Sequence, residues 1–186
     1  GDGFDELAVT TLAGDDDVGF GSGAVHLLYG DEEKLSADGA DCDPLTVACF
    51  DANFTGDSSY GMAGEAVEMG DVSGDGYDDL VVTSPRHGKS RGMIYVMFGA
   101  KSRYKGEWSL WTAHVRLRGN AEGDGLGQTI DVIPPGEGTG GHHGLNGDDS
   151  ADMWIGASGQ TPSETAYLVY GRLTPMSTTI GTQAAV

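Results

Sequence analysis

The chain has 186 residues, with 29 Asp and Glu against 10 Lys and Arg, so its formal net charge is −19. Glycine supplies 32 residues, about one in six and more than twice ordinary usage. Such a balance excludes a general nucleic-acid binder, which needs a basic surface, and argues against a helix-rich fold, because an interior glycine costs a helix about 1 kcal/mol relative to alanine.

In chain order, Gly1-Asp2-Gly3-Phe4-Asp5-Glu6-Leu7-Ala8-Val9 sets an aspartate-glycine turn before a short apolar run. The start has no Met, basic region or apolar leader, and reads as a processed or partial N-terminus. A second run, Val25-His26-Leu27-Leu28-Tyr29-Gly30, closes on glycine. Cys42 and Cys49 follow, seven apart in a loop-like stretch, a spacing that fits neither a CxxC pair nor a zinc knuckle. A local disulfide is favoured over two free thiols. Asn53-Phe54-Thr55 is a glycosylation sequon with Asn53 as acceptor, and the two features lean towards an oxidising, extracellular setting.

Beyond Ala63-Gly64-Glu65-Ala66-Val67, the turn and runs return as Gly74-Asp75-Gly76-Tyr77-Asp78-Asp79-Leu80-Val81-Val82 and Ile94-Tyr95-Val96-Met97-Phe98-Gly99. A further strand is expected at His114 to Gly119, and one such strand after each repeat. The third set is Leu126-Gly127-Gln128-Thr129-Ile130, Gly147-Asp148-Asp149-Ser150-Ala151-Asp152-Met153-Trp154-Ile155 and Ala166-Tyr167-Leu168-Val169-Tyr170-Gly171. Gly1, Gly74 and Gly147 stand 73 residues apart both times. Short runs rich in β-branched and aromatic residues, bounded by Gly, Asp or Pro, are strands. Near-continuous apolarity means sheets buried on both faces, as in stacked propeller blades. The expected fold is all-β: about two and a half four-stranded antiparallel blades of a partial β-propeller. Blade one spans about residues 1–56, blade two 57–119 and blade three 120–186.

The most complete turn is Asp71-Val72-Ser73-Gly74-Asp75-Gly76-Tyr77-Asp78-Asp79. Oxygens of Asp71, Ser73, Asp75 and Asp79, with the Tyr77 carbonyl, can converge on one hard cation, while Asp78 points away. Calcium, which takes six to eight oxygens in a tolerant geometry, is the expected cofactor. An EF-hand would need a bidentate Glu at position twelve between helices, and Val82 stands there. The bland alternative is a turn whose aspartates bond only their own backbone. The first copy lacks positions one to three and carries Glu6 at position nine, leaving Asp2 and Glu6 as a truncated site. In the third, Gly144 stands in the place of Asp71 and Asp149 in that of Gly76, leaving Asn146, Asp148 and Asp152 as a degenerate site.

Together these residues resemble the FG-GAP repeats of the integrin α-subunit β-propeller. The middle repeat reads Ala63-Gly64, Asp71 to Asp79, Thr83-Ser84-Pro85 and Phe98-Gly99; the third reads Leu126-Gly127, Gly156-Ala157-Ser158 and Tyr170-Gly171. The first keeps its back half, through Thr10-Thr11-Leu12 and Tyr29-Gly30. The resemblance implies a seven-bladed ring with calcium in the first hairpin of certain blades, on the face opposite the usual ligand surface.

Little else carries chemistry. Gly19-Phe20-Gly21-Ser22-Gly23 places Ser one position late for a nucleophile elbow. Gly136 to Gly141 satisfies GxGxxG but follows Pro134-Pro135 with no helical pattern after it, and His142-His143 adjoins that glycine loop. Charge is uneven: eight of the ten basic residues lie between Arg86 and Arg118, with Glu107 the one acid there. Arg86, Lys89, Arg91, Lys101, Arg103 and Lys105 are read either as one interaction patch for an acidic neighbour, such as another copy's Asp15-Asp16-Asp17, or as a solvated loop.

The expected function is a non-catalytic, calcium-binding propeller segment of an extracellular or cell-surface protein, serving adhesion or protein assembly. Its partners would be protein (further blades, other copies or a surface ligand) or glycan, with no nucleic acid. No apolar run approaches the roughly 20 residues of a transmembrane helix. The alternatives are an accessory propeller of a secreted hydrolase resembling phospholipase D relatives, and a structural subunit of an extracellular filament or large complex.

Overall fold

A computed structural model describes residues 5–13, 19–30, 49–135, 145–159 and 165–180. Among these residues, twelve strands form three sheets. The first sheet orders β1 (Leu7–Thr11), β2 (Ala24–Leu28), β3 (Ala52–Thr55) and β7 (Gly106–Ser109). The second orders β12 (Met176–Ile180), β8 (Val115–Gly119), β6 (Met93–Met97), β5 (Asp79–Ser84) and β4 (Val67–Gly70). The third orders β11 (Thr165–Val169), β10 (Asp152–Ala157) and β9 (Leu126–Ile133). The architecture is the expected one of β-propeller blades.

Most neighbouring strands within a sheet pair antiparallel. Two pairings depart from that rule. β7 lies parallel to β3, and β12 lies parallel to β8. In each case a segment from one repeat closes the outer edge of the preceding blade's sheet, so strands cross the blade boundaries drawn from the repeat. β12 thus lies at the edge of blade two's sheet as β7 does at that of blade one, and blade three has three strands among the described residues.

The core lies between the sheets. One apolar layer joins Val25, Leu27, Ala52 and Phe54 of blade one to Leu80, Val82, Tyr95 and Met97 of blade two. The other joins Val81, Ile94, Val96 and Leu117 of blade two to Leu126, Met153, Ile155 and Tyr167 of blade three. Alternate residues of β5 thus enter opposite layers, and all six are buried, which is why Leu80, Val81 and Val82 are apolar without alternation. Burying each Val or Leu is worth about 1.5–3 kcal/mol. On β10 the face turned away from blade two carries the half-exposed Trp154.

A repeated close approach sets the blade spacing. A Cβ on Gly23 would lie 2.1 Å from the Ala63 carbonyl oxygen, and one on Gly92 would lie 2.1 Å from that of Leu126. Ala63 and Leu126 are the aligned first residues of successive repeats, so only glycine lets consecutive blades meet there.

Candidate functional site

The aspartate turn of blade two connects β4 to β5. Gly74 and Gly76 have φ of +77° and +88°, the left-handed values that reverse the chain inside the loop. Asp71 gathers the exposed backbone: its Oδ1 accepts from the N–H groups of Gly74 at 2.7 Å and Asp75 at 3.0 Å, and its Oδ2 from Gly76 at 2.8 Å. The Ser73 hydroxyl lies 3.4 Å from the same Oδ1. Asp75 Oδ1 accepts from the Tyr77 N–H at 2.9 Å. Asp79, fully buried, accepts at 2.8 Å from Ser73 N–H on Oδ2 and at 2.8 Å from Gly99 N–H on Oδ1.

The consequence is electrostatic. Burial pushes the Asp79 carboxyl up to about 6; the two N–H bonds oppose that rise, while the charges of Asp71 and Asp75 add to it. Among the described residues, no Lys or Arg forms an ion pair with these three acids. Nor is any group of three or more His, Cys, Asp or Glu gathered as a ligating cluster among them. The carboxylates instead lie against their own backbone, as in the bland reading of the turn. Their chemistry still suits a hard divalent ion: three carboxylates, a hydroxyl and a carbonyl, all oxygen, on a glycine-hinged loop. Asp71, Ser73, Asp75, the Tyr77 carbonyl and Asp79 are the groups that would hold it. Asp78 is exposed and takes no part in the loop's hydrogen bonds.

Blade three builds a related turn with fewer acids. Asp152 is fully buried and repeats the role of Asp79, accepting from Leu145 N–H at 2.7 Å and Gly171 N–H at 2.9 Å. Asp148 Oδ1 accepts from Ser150 N–H at 3.0 Å, the counterpart of the bond from Tyr77 to Asp75. Asn146 Oδ1 accepts from Asp148 N–H at 3.0 Å, and its Nδ2 donates to Asp148 Oδ2 at 3.0 Å. Gly147 has φ of +83°, whereas Asp149, in the place of Gly76, is not among the left-handed residues. The two turns are stitched together: Ala151 N–H donates to the Asp71 carbonyl at 2.8 Å, and Leu173 N–H to that of Val72 at 3.0 Å.

Of the truncated first site, Asp2 lies outside the described residues. Glu6 lines a cavity of about 600 Å³ between blades one and two, with Tyr77, Asp78, Lys101 and Tyr104 also in its wall. Cys42 likewise lies outside the described residues, so the pairing of Cys42 with Cys49 stays a proposal. Asn53 sits on β3 with its Oδ1 2.7 Å from His26 Nδ1 and its Nδ2 donating to Glu107 Oε1 at 2.7 Å. His26 Nε2 is 3.0 Å from Thr11 Oγ1, which completes a polar ladder across the sheet. A glycan on Asn53 would have to rearrange the Glu107 end of it.

The six basic residues do not form one patch. β5 and β6 pair Leu80 with Met97 at the aspartate-turn end and Ser84 with Met93 at the other. Arg86, Lys89 and Arg91 therefore lie at one end of blade two, and Lys101, Arg103 and Lys105 at the opposite end. The five residues of β6, at about 3.3 Å each, stand between them. Lys89 and Arg91 pair with Glu122 at 3.0 and 3.4 Å, and the Arg103 guanidinium lies 4.8 Å above the Tyr29 ring. Proximity in sequence suggested a single surface because it ignored the reversal of direction at each hairpin.

A stack of blades joined by aspartate turns is a β-propeller-type arrangement. Residues 63–97, from the first step of blade two to the end of β6, match the family model described as the FG-GAP repeat. The segment that holds the complete aspartate turn is therefore similar to the FG-GAP repeat, a unit that is typically non-catalytic and occurs in extracellular and cell-surface proteins. No curated protein matches the chain. Among the described residues, no helix is long and apolar enough to cross a membrane.

Missed by sequence reasoning were Ser150, whose buried hydroxyl faces Gly74, and Arg172, whose Nε lies 3.6 Å from Asp148 Oδ2. A signal for Arg172 was present: with Lys34, it is one of two bases outside the segment from Arg86 to Arg118, and it follows the strand-closing Tyr170-Gly171 directly.

Proposed function

We propose that this chain is a non-catalytic, calcium-stabilised β-propeller segment of an extracellular or cell-surface protein, used in adhesion or protein assembly. The observation that carries the reading is the blade-two turn, which brings Asp71, Asp75 and buried Asp79 into one loop with no basic side chain paired to them among the described residues. A bound calcium ion would supply the missing positive charge and tie the β4–β5 hairpin. The chain's own residues do the rest: Gly74 and Gly76 turn the loop, and Asp79 anchors it to Gly99 at the head of the next connection. Through the Asp71 and Val72 carbonyls, the same loop is bonded to blade three. Order in the loop is thereby passed to the blade interface, and the rigid blades offer their ends to protein or glycan partners.

Extracellular calcium modules commonly bind at about 10⁻⁴–10⁻³ M. At calcium a hundredfold above Kd, a site present only in the folded chain adds about 2.7 kcal/mol, or roughly 5–10 °C in Tm for a chain of this size. Thermal melts in calcium and in a chelator are expected to differ by that amount, with the difference abolished by Asp75→Ala. Equal melting temperatures for the parent chain in the two conditions would overturn the reading.

A further inference from the structure

Arg172 follows the glycine that closes blade three's second run, and it has a left-handed φ of +59°. That conformation costs a non-glycine residue roughly 1–2 kcal/mol, so surrounding contacts must hold it there. Its Nε lies 3.6 Å from Asp148 Oδ2, the oxygen that Asn146 Nδ2 also reaches at 3.0 Å. Its stem lies against the other aspartate turn: a Cβ on Gly74 would be 3.4 Å from Arg172 Cγ. The next residue, Leu173, is pinned by its N–H to the Val72 carbonyl. One side chain thus rests on the blade-two turn and delivers its charge to the blade-three turn.

The charges match this placement. Blade two aligns three carboxylates, Asp71, Asp75 and Asp79, which suits a doubly charged ion. Blade three keeps Asp148 and Asp152 at those positions, with Gly144 in the place of Asp71 and a further acid, Asp149, in that of Gly76. At the repeat position of Arg172, after the strand-closing glycine, blade two has Ala100. Resting on the calcium reading of the blade-two turn, we propose that Arg172 is the built-in counter-cation of the blade-three turn. It does for Asp148 and its neighbours what a bound divalent ion does in blade two, and that turn holds its shape without metal.

The test is residue-resolved amide hydrogen exchange on the whole chain. Ser150 N–H reports the Asp148 bond, Leu145 and Gly171 report Asp152, and Gly74, Asp75 and Gly76 report the blade-two turn. In the parent chain, exchange at Ser150, Leu145 and Gly171 is expected to be the same in calcium and in chelator. Arg172→Gln keeps much of the stem but not the charge, and should speed exchange at Ser150 about two- to fivefold, the range of an exposed ion pair. Arg172→Lys should stay near the parent rate, and 1 M salt should move the parent towards the Gln variant. Slower exchange at Ser150 or Leu145 on adding calcium, or a Gln variant indistinguishable from the parent, would overturn the assignment. Should the Gln variant fail to fold, the salt series on the parent chain decides, and no acceleration there overturns the assignment. If calcium leaves Gly74, Asp75 and Gly76 unchanged, the calcium reading falls, while the comparison of Arg172→Gln with Arg172→Lys still decides the role of Arg172.

Discussion

The turns of blades two and three share a frame and differ in what balances their charge. In both, a fully buried aspartate, Asp79 or Asp152, receives one N–H from within the turn and one from the glycine that closes the neighbouring strand. In both, a second aspartate caps the turn two residues on. Blade two then adds Asp71, which collects three further N–H groups, while blade three has Gly144 in that place, Asn146 in the place of Ser73, and Arg172 beside Asp148. The motif therefore combines two separable jobs. Bonding of the buried aspartate shapes the hairpin in either blade, whereas the extra carboxylate of blade two, Asp71, is the feature on which the proposed calcium site depends.

The largest expected effect tests the shared job. Asp79→Ala and Asp152→Ala each strand two N–H groups that now bond a buried carboxylate, and each should cost about 2–4 kcal/mol. Urea unfolding in chelator would measure both, and a loss under 1 kcal/mol at either position would break the common frame. Next come the turn glycines. Gly74→Ala forces a left-handed φ on alanine and drives its Cβ to 2.5 Å from Ser150 Oγ, whereas Gly147→Ala, at φ of +83°, meets nothing within 4 Å. The strain alone is roughly 1–2 kcal/mol, so Gly74→Ala should exceed Gly147→Ala in the same unfolding assay, by the extra contact it must relieve. Equal losses would mean that the two turns are not packed against each other. The smallest effect is that of Asp75→Asn in chelator, under about 1 kcal/mol, because the amide oxygen can still accept from Tyr77 N–H. In calcium its deficit should grow, and a deficit independent of calcium would remove Asp75 from the ligand set.

The sequence shows the repeat and its strands plainly because both are local. Gly74-Asp75-Gly76 and its copies mark the turns, and buried runs such as Leu80 to Ser84 mark central strands. The parallel pairings of β7 with β3 and β12 with β8 were not legible, since a parallel neighbour arrives through a long connection with no turn of its own. Met176 to Ile180 consequently pairs with β8 in the sheet of blade two. The site was legible as a set of oxygen donors, Asp71 to Asp79, but not as an electrostatic unit. Which acids carry a basic partner depends on Arg172, 24 positions from Asp148 and brought to it only when the β10–β11 hairpin folds back. The split of the basic segment has the same origin: Arg91 and Lys101 are near in sequence, and β6 holds them at opposite ends.

The most direct test of the difference between the two turns is a calcium titration by calorimetry on the parent chain, Asp75→Ala and Asp148→Ala. The parent chain is expected to give a binding isotherm that Asp75→Ala removes and Asp148→Ala leaves in place. An isotherm that survives Asp75→Ala but is lost in Asp148→Ala, or no binding in the parent chain, would contradict that expectation.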